Sequence, residues 1–229
     1  MKFFDLHCDT ADEIFLGKKS LYDGDCHVSL KKAEGFDKYV QLFAVFTYPD
    51  LDDNAGYEQF LKIRENFLSE CEKYGVEMIY SSADLERFYN SDKKIGAVLT
   101  VEDSRILDGK IERVRELYDL GVRVMTLLWG GDTSIGGSHD NDDGLTDFGR
   151  EVVGRCLSRD YPRYFPRLVQ VSRRHNGHMR KMRRLSHCNP HELLHRMPPF
   201  TQPHGREIHA SDKARRCCRS IALPAPSCR

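Results

Sequence analysis

The charge of this chain is unevenly divided along its length. Residues 155–229 hold 17 Lys and Arg against 4 Asp and Glu, while residues 1–154 hold 18 against 31, so the formal net charge of zero hides segments of +13 and −13. Composition changes at the same place. Eight of the nine prolines lie at or after Pro162, seven of the ten histidines at or after His175, and five of the eight cysteines at or after Cys156. Any single fold is therefore sought in residues 1–155, and residues 156–229 are expected to form a basic Arg/Pro/Cys/His-rich tail that is poorly structured. With 229 residues and 40% hydrophobic content the chain is long enough for a sizeable core.

The first segment alternates short apolar runs with amphipathic stretches. Strands are predicted at Phe3–Cys8, Tyr39–Thr47, Val76–Tyr80, Ile95–Val101 and Val122–Leu128. Helices are predicted from Tyr57 to Tyr74 with Gly75 as stop, Ser82 to Tyr89 with Ser82 as cap, Lys110 to Leu120 ended by Gly121, and Leu145 to Arg155 with Thr146 as cap. Strands alternating with helices point to a parallel sheet built from βαβ units. A doubly wound sheet and a β/α barrel both satisfy that pattern. No run approaches the ~20 apolar residues that span a bilayer, and the start, Met1-Lys2-Phe3-Phe4-Asp5, has no apolar segment ahead of the first charges. A cytoplasmic location without membrane attachment is the expectation. Cys8, Cys26 and Cys71 read as reduced thiols, since no C-x-x-C pair occurs.

The polar strand ends favour the barrel, where chemistry sits at the carboxyl ends of the strands. His7 and Asp9 close the first strand, Glu102 and Asp103 close the strand from Ile95, and Trp129-Gly130-Gly131-Asp132 follows the strand from Val122. Residues two apart on an extended chain share a side. An imidazole and a carboxylate so placed suit Zn²⁺, which takes nitrogen and oxygen ligands, while donor hardness also admits Mn²⁺ or Co²⁺. The bland readings are an N-cap role for Asp9 and a loop carboxylate for Glu102.

Four blocks then become recognisable: Asp5-Leu6-His7-Cys8-Asp9-Thr10, Val101-Glu102-Asp103, Gly121-Val122-Arg123-Val124-Met125-Thr126-Leu127, and Asp143 through Val153. In order and spacing they resemble the membrane (renal) dipeptidase family of zinc metallopeptidases, over residues 1 to about 155. The resemblance implies a (β/α)8 barrel, here incomplete with about five βα units, and two zinc ions that hydrolyse small dipeptides. It implies His7 and Asp9 on one metal and Glu102 bridging both as the catalytic carboxylate. A hydroxide between the metals then attacks the peptide carbonyl. It also implies subunits that pair as homodimers. Where many relatives carry a histidine that touches substrate, this chain has Trp129, which keeps the substrate-facing position and packs there. The family's two further zinc histidines and its carboxylate-binding arginine come from later strands, and none of those motifs is readable after Arg155, so the second zinc site is incomplete.

Reading permitted codons one base later across Ser158–Gln170 and Cys188–His209 recovers family-like segments with the missing histidines, both in one shifted frame. The expectation is a dipeptidase whose reading frame slips near Arg155. The reading of a different class is a non-catalytic fragment whose basic tail, with Arg173-Arg174, Arg183-Arg184 and Arg215-Arg216, binds anions or nucleic acid non-specifically through phosphate contacts. Specific nucleic-acid recognition is not expected, since prolines interrupt each candidate helix there. His187, Cys188, His191 and His195 imitate a metal cluster by accident of composition.

Overall fold

The computed structural model describes residues 1–48, 51, 53–137, 143–156 and 165–167, with backbone alone for 53 and 165–167. These belong to one unit, Met1–Cys188. The arginine pairs of the tail and the His187–His195 cluster lie outside the described residues.

Parallel strands need long crossovers, and the chain supplies them in order: β1 (Lys2–Cys8), α1 (Thr10–Leu16), α2 (Leu30–Ala33), β2 (Lys38–Phe46), α3 (Asp53–Lys73), β3 (Glu77–Met78), α4 (Ser82–Asn90), β4 (Ile95–Glu102), α5 (Glu112–Asp119), β5 (Val122–Thr126), α6 (Asp147–Cys156) and β6 (Phe165–Arg167). A 3-10 turn, Ser104–Leu107, follows β4. Every pairing is parallel, and the sheet runs β1-β2-β4-β5-β6 with β3 set against β4. β2 pairs with β4 from Tyr39↔Ile95 to Phe46↔Glu102, so β3 and β5 share the other edge of β4, β3 near its start and β5 near its end. Along the path β1-β2-β4-β5-β6 the strands follow one another in chain order, and the two-residue β3 is set outside that path. A doubly wound sheet reverses strand order at a switch point, so the sequential order selects the β/α barrel, present here as an incomplete one.

The sheet is buried on both faces, as parallel sheets are. Phe43, Val45, Ala97, Leu99 and Val101 belong to the core cluster with Phe60, Ile63 and Phe67 of α3. The Phe43 and Phe67 rings stand 4.7 Å apart. The opposite parity, Val40, Leu42, Ala44, Val98 and Thr100, is buried as well. Gly75 (φ 67°) and Gly121 (φ 97°) end α3 and α5 in the left-handed conformation that glycine adopts without a Cβ clash.

Several expectations shift. The strand placed at Val76–Tyr80 reduces to the two paired residues of β3. The cap of α4 is Ser81, one residue before the Ser82 expected from sequence; its Oγ accepts from Asp84 N–H at 3.1 Å. Helices α1 and α2 and the 3-10 turn were not expected, and neither was β6, which adds to the sheet beyond Arg155. Among the described residues no helix is long and apolar enough to cross a membrane.

Candidate metal centre

Strand periodicity decides which side chains face the end of the sheet. Cys8 belongs to the helix-covered core, so His7 of β1 faces the other way; Val101 belongs to that core, so Glu102 of β4 faces the other way too. Both therefore project on the same side. A register shift lies between Asp5 and Cys8, the last paired residue of β1, and the chain turns at Asp9 directly into α1.

Asp9 occupies the N-cap position of α1 but makes no side-chain cap bond. Its carboxylate turns to His7 instead. His7 Nε2 lies 3.2 Å from Asp9 Oδ1 and 3.3 Å from Glu102 Oε2, and one ligand atom from each of the three residues lies within 4.8 Å of the others. A tetrahedral ion with bonds of about 2.0–2.2 Å separates its donors by roughly 3.3–3.6 Å. The two spacings from His7 come close to that span, so the nitrogen and two oxygens are a donor set that a single divalent cation could draw together. Glu102 is well covered, Asp9 is open. The His7 hydrogen bond holds the Asp9 carboxyl below its usual range against partial desolvation, with the charges of His7 and, more remotely, His27 adding to the effect.

The triad opens on a cleft of about 630 Å³ lined also by Asp12, Glu13, Leu16, Lys19, Phe46, Tyr48 and Trp129. Trp129 is 40% exposed and forms an apolar wall with Leu16 and Phe46. Lys19 Nζ donates to Asp25 O at 2.8 Å. Asp132, in the polar segment after β5, is not among the residues of this cleft.

Two buried carboxyls stand beside the triad, of which the sequence reading named Asp103 as a strand end and missed Asp12. Asp12, in the first turn of α1, accepts from Phe46 N–H at 2.8 Å, while its Oδ1 has no hydrogen-bond partner. Burial pushes the Asp12 carboxyl up to about 7; the Phe46 bond opposes this, and the like charges of Asp9, Glu102 and Glu13 add to it. Asp103 is fully buried directly after Glu102, with φ 71°. Its Oδ1 accepts from Arg105 N–H at 2.9 Å, and Arg105 Nη2 donates to Gly130 O at 2.8 Å, joining the loops after β4 and β5. Burial raises the Asp103 carboxyl, opposed by the Arg105 backbone bond and charge. Asp103 was visible as an acidic strand end; Asp12 gave no signal, because its partner is a backbone amide 34 residues away.

Comparison with solved structures bears on the fold that carries this arrangement. The dipeptidase AC, a metallopeptidase of family M19, matches with a TM-score of 0.59 and 18% identity over 68% of this chain and 55% of its own. A metallopeptidase from Rhodobacter sphaeroides, solved with a phosphinate mimic of the dipeptide L-Ala-D-Ala, matches at 0.56 and 18% over 68% and 56%. The probable dipeptidase PvdM from Pseudomonas aeruginosa matches at 0.57 and 17% over 68% and 44%. The chain thus spans about half the length of these proteins, and at such identity the likeness shows the fold. The sequence profile of the membrane dipeptidase family covers residues 1–156, from before the His7-Asp9 strand end to the end of α6. The chain belongs to that family, the membrane dipeptidases of peptidase family M19.

Proposed function

We propose that this chain derives from a metal-dependent dipeptidase and that His7, Asp9 and Glu102 hold a divalent ion, zinc by the family resemblance together with a donor set that suits it. The observation that carries the reading is the convergence of one imidazole and two carboxylates from the ends of β1 and β4 within 4.8 Å, at the mouth of a cleft. When bound, such an ion polarises a peptide carbonyl and lowers the pKa of a coordinated water. The chain's own groups supply the rest. The imidazole of His7 sits between two carboxylates whose negative charge suits a cation, and its hydrogen bond holds the Asp9 carboxyl below the usual range. Leu16, Phe46 and Trp129 offer an apolar wall to the side chains of a small dipeptide.

The second reading is a non-catalytic product. The family's remaining ligand motifs are not readable after Arg155, and the +13 charge over 155–229 favours loose binding of anions instead. A reading frame that slips near Arg155 accounts for both, and sequencing the coding locus tests it: an uninterrupted frame whose codons do not yield the shifted segments removes that account.

The function itself is tested by hydrolysis of L-Ala-D-Ala by the purified chain during zinc titration. Turnover abolished by a chelator and restored by zinc supports the dipeptidase reading. Zinc uptake without turnover supports the non-catalytic one, and zinc uptake unchanged by His7→Ala overturns the proposed centre.

A further inference from the structure

β1 and β2 pair as far as Cys8↔Phe43. Beyond Cys8 the first strand gives way to α1, whereas β2 continues to Phe46, past the last register partner that β1 offers. Successive N–H groups of a strand between two parallel neighbours point to opposite sides. Thr47 N–H donates to Glu102 O, on the β4 side, at 3.2 Å. Phe46 N–H therefore points to the β1 side, where no β1 register partner continues, and it donates to Asp12 Oδ2 at 2.8 Å. A side-chain carboxylate has taken the place of the missing ladder acceptor.

The consequence concerns the centre. Phe46 is the register partner of Glu102 across β2 and β4. Asp12 lies three residues after Asp9 on the helix that the His7-Asp9 turn opens. One buried side chain thus links the segment carrying two of the converging groups to the strand end beside the third. Its second oxygen is left buried without a partner in the cleft wall, a costly arrangement for a carboxylate. We infer that Asp12 is a positioning residue, acting through the Phe46 amide to fix His7 and Asp9 relative to Glu102. The inference rests on the metal-centre reading above.

Partners that orient metal ligands cost about 10- to 100-fold in affinity when removed. The test compares the full chain with Asp12→Ala, Asp12→Asn, His7→Ala and, as a destabilised control at the other end of β2, Lys38→Met. Zinc affinity is read by competition with a chromophoric chelator, and exchange of the Phe46 amide by hydrogen–deuterium exchange. Asp12→Ala is expected to lose at least tenfold in zinc affinity and to expose the Phe46 amide. Asp12→Asn, which keeps an acceptor oxygen, stays within about threefold, and Lys38→Met matches the parent. Unchanged affinity in Asp12→Ala, an equal loss in Asp12→Asn, or an equal loss in Lys38→Met overturns the inference. If the parent and His7→Ala take up zinc alike, the metal-centre reading fails by itself. The exchange arm then still decides the tie: equal Phe46 protection in the parent and Asp12→Ala refutes it.

Discussion

His7 Nε2 lies 3.3 Å from Glu102 Oε2, although β2 stands between the strands that carry them. Adjacent strands are about 4.7–4.9 Å apart, so strands two positions apart are separated by roughly 9–10 Å. An imidazole and a glutamate side chain close that gap only when both project on the same face, and strand parity provides that condition.

The first prediction follows from that convergence. A ligand that binds only the folded chain stabilises it, by about 2.7 kcal/mol at a free concentration 100 times its Kd. Zinc at that level is expected to raise the thermal unfolding midpoint of the parent, and a chelator to reverse the rise. Glu102→Ala should respond far less. A midpoint that climbs equally in Glu102→Ala would place the zinc elsewhere.

How much of this was legible in the sequence depends on how local each signal is. The apolar runs at Phe3–Cys8, Tyr39–Thr47, Ile95–Val101 and Val122–Leu128 all proved to be strands, because residues buried on both faces read as near-continuous hydrophobic runs. Helix α1 was not legible. Seven residues, too few to be stable alone, hold their shape by burying Ala11 and Ile14, which is a tertiary effect. His7, Asp9 and Glu102 could be nominated from strand ends and family resemblance. Their mutual approach could not, since it depends on register between strands distant in sequence.

Asp103 provides a second prediction. Its φ of 71° with ψ 123° is costly for a residue with a side chain, of order 1–3 kcal/mol, and its carboxylate tethers Arg105 beside Gly130. Asp103→Ala keeps the strain and loses the tether, and is expected to destabilise by about 2–4 kcal/mol. Asp103→Gly loses the same tether but adopts the backbone angles freely, so it should retain roughly 1 kcal/mol more than the alanine variant. Chemical denaturation of the two variants checks the order, and an alanine variant at least as stable as the glycine one contradicts it.

The cap of α4 gives a prediction in pH. Burial pushes the Asp84 carboxyl up, but bonds from Ser81 Oγ–H, Tyr80 N–H and Arg87 outweigh it, so the folded pKa lies below the model-compound value of 3.8. A carboxyl depressed in the folded state adds stability that is present above its unfolded pKa and is lost as pH falls through the folded value. Stability measured from pH 6 downward should therefore drop below about pH 4, with a smaller drop in Asp84→Asn. Ser81→Ala, which removes the acceptor for Asp84 N–H, is expected to cost about 1 kcal/mol at neutral pH. A pH profile identical in the parent and Asp84→Asn would show that the cap is not the group titrating.

At the opposite end of β2 from Phe46, Lys38 is buried and its ammonium donates to the carbonyls of Phe88, Ser91 and Lys93. These lie at and just after the C-terminal end of α4, where helical carbonyls lack partners within the helix. The ammonium also lies 4.7 Å from the centre of the Phe88 ring. Lys38→Met preserves much of the buried volume but leaves the carbonyls without this donor. Hydrogen bonds from a charged group contribute about 1.5–3 kcal/mol, and Ser91 Oγ still donates to Phe88 O at 2.8 Å, so a net loss of about 2–3 kcal/mol is expected. Lys38→Arg should recover only part of it, because a planar fork cannot aim at three carbonyls arranged around a point charge. Denaturant midpoints quantify both variants, and amide exchange along α4 locates the effect. If Lys38→Met unfolds at the parent's midpoint, or if the faster exchange appears outside α4, the ammonium is not what holds that helix end to the sheet.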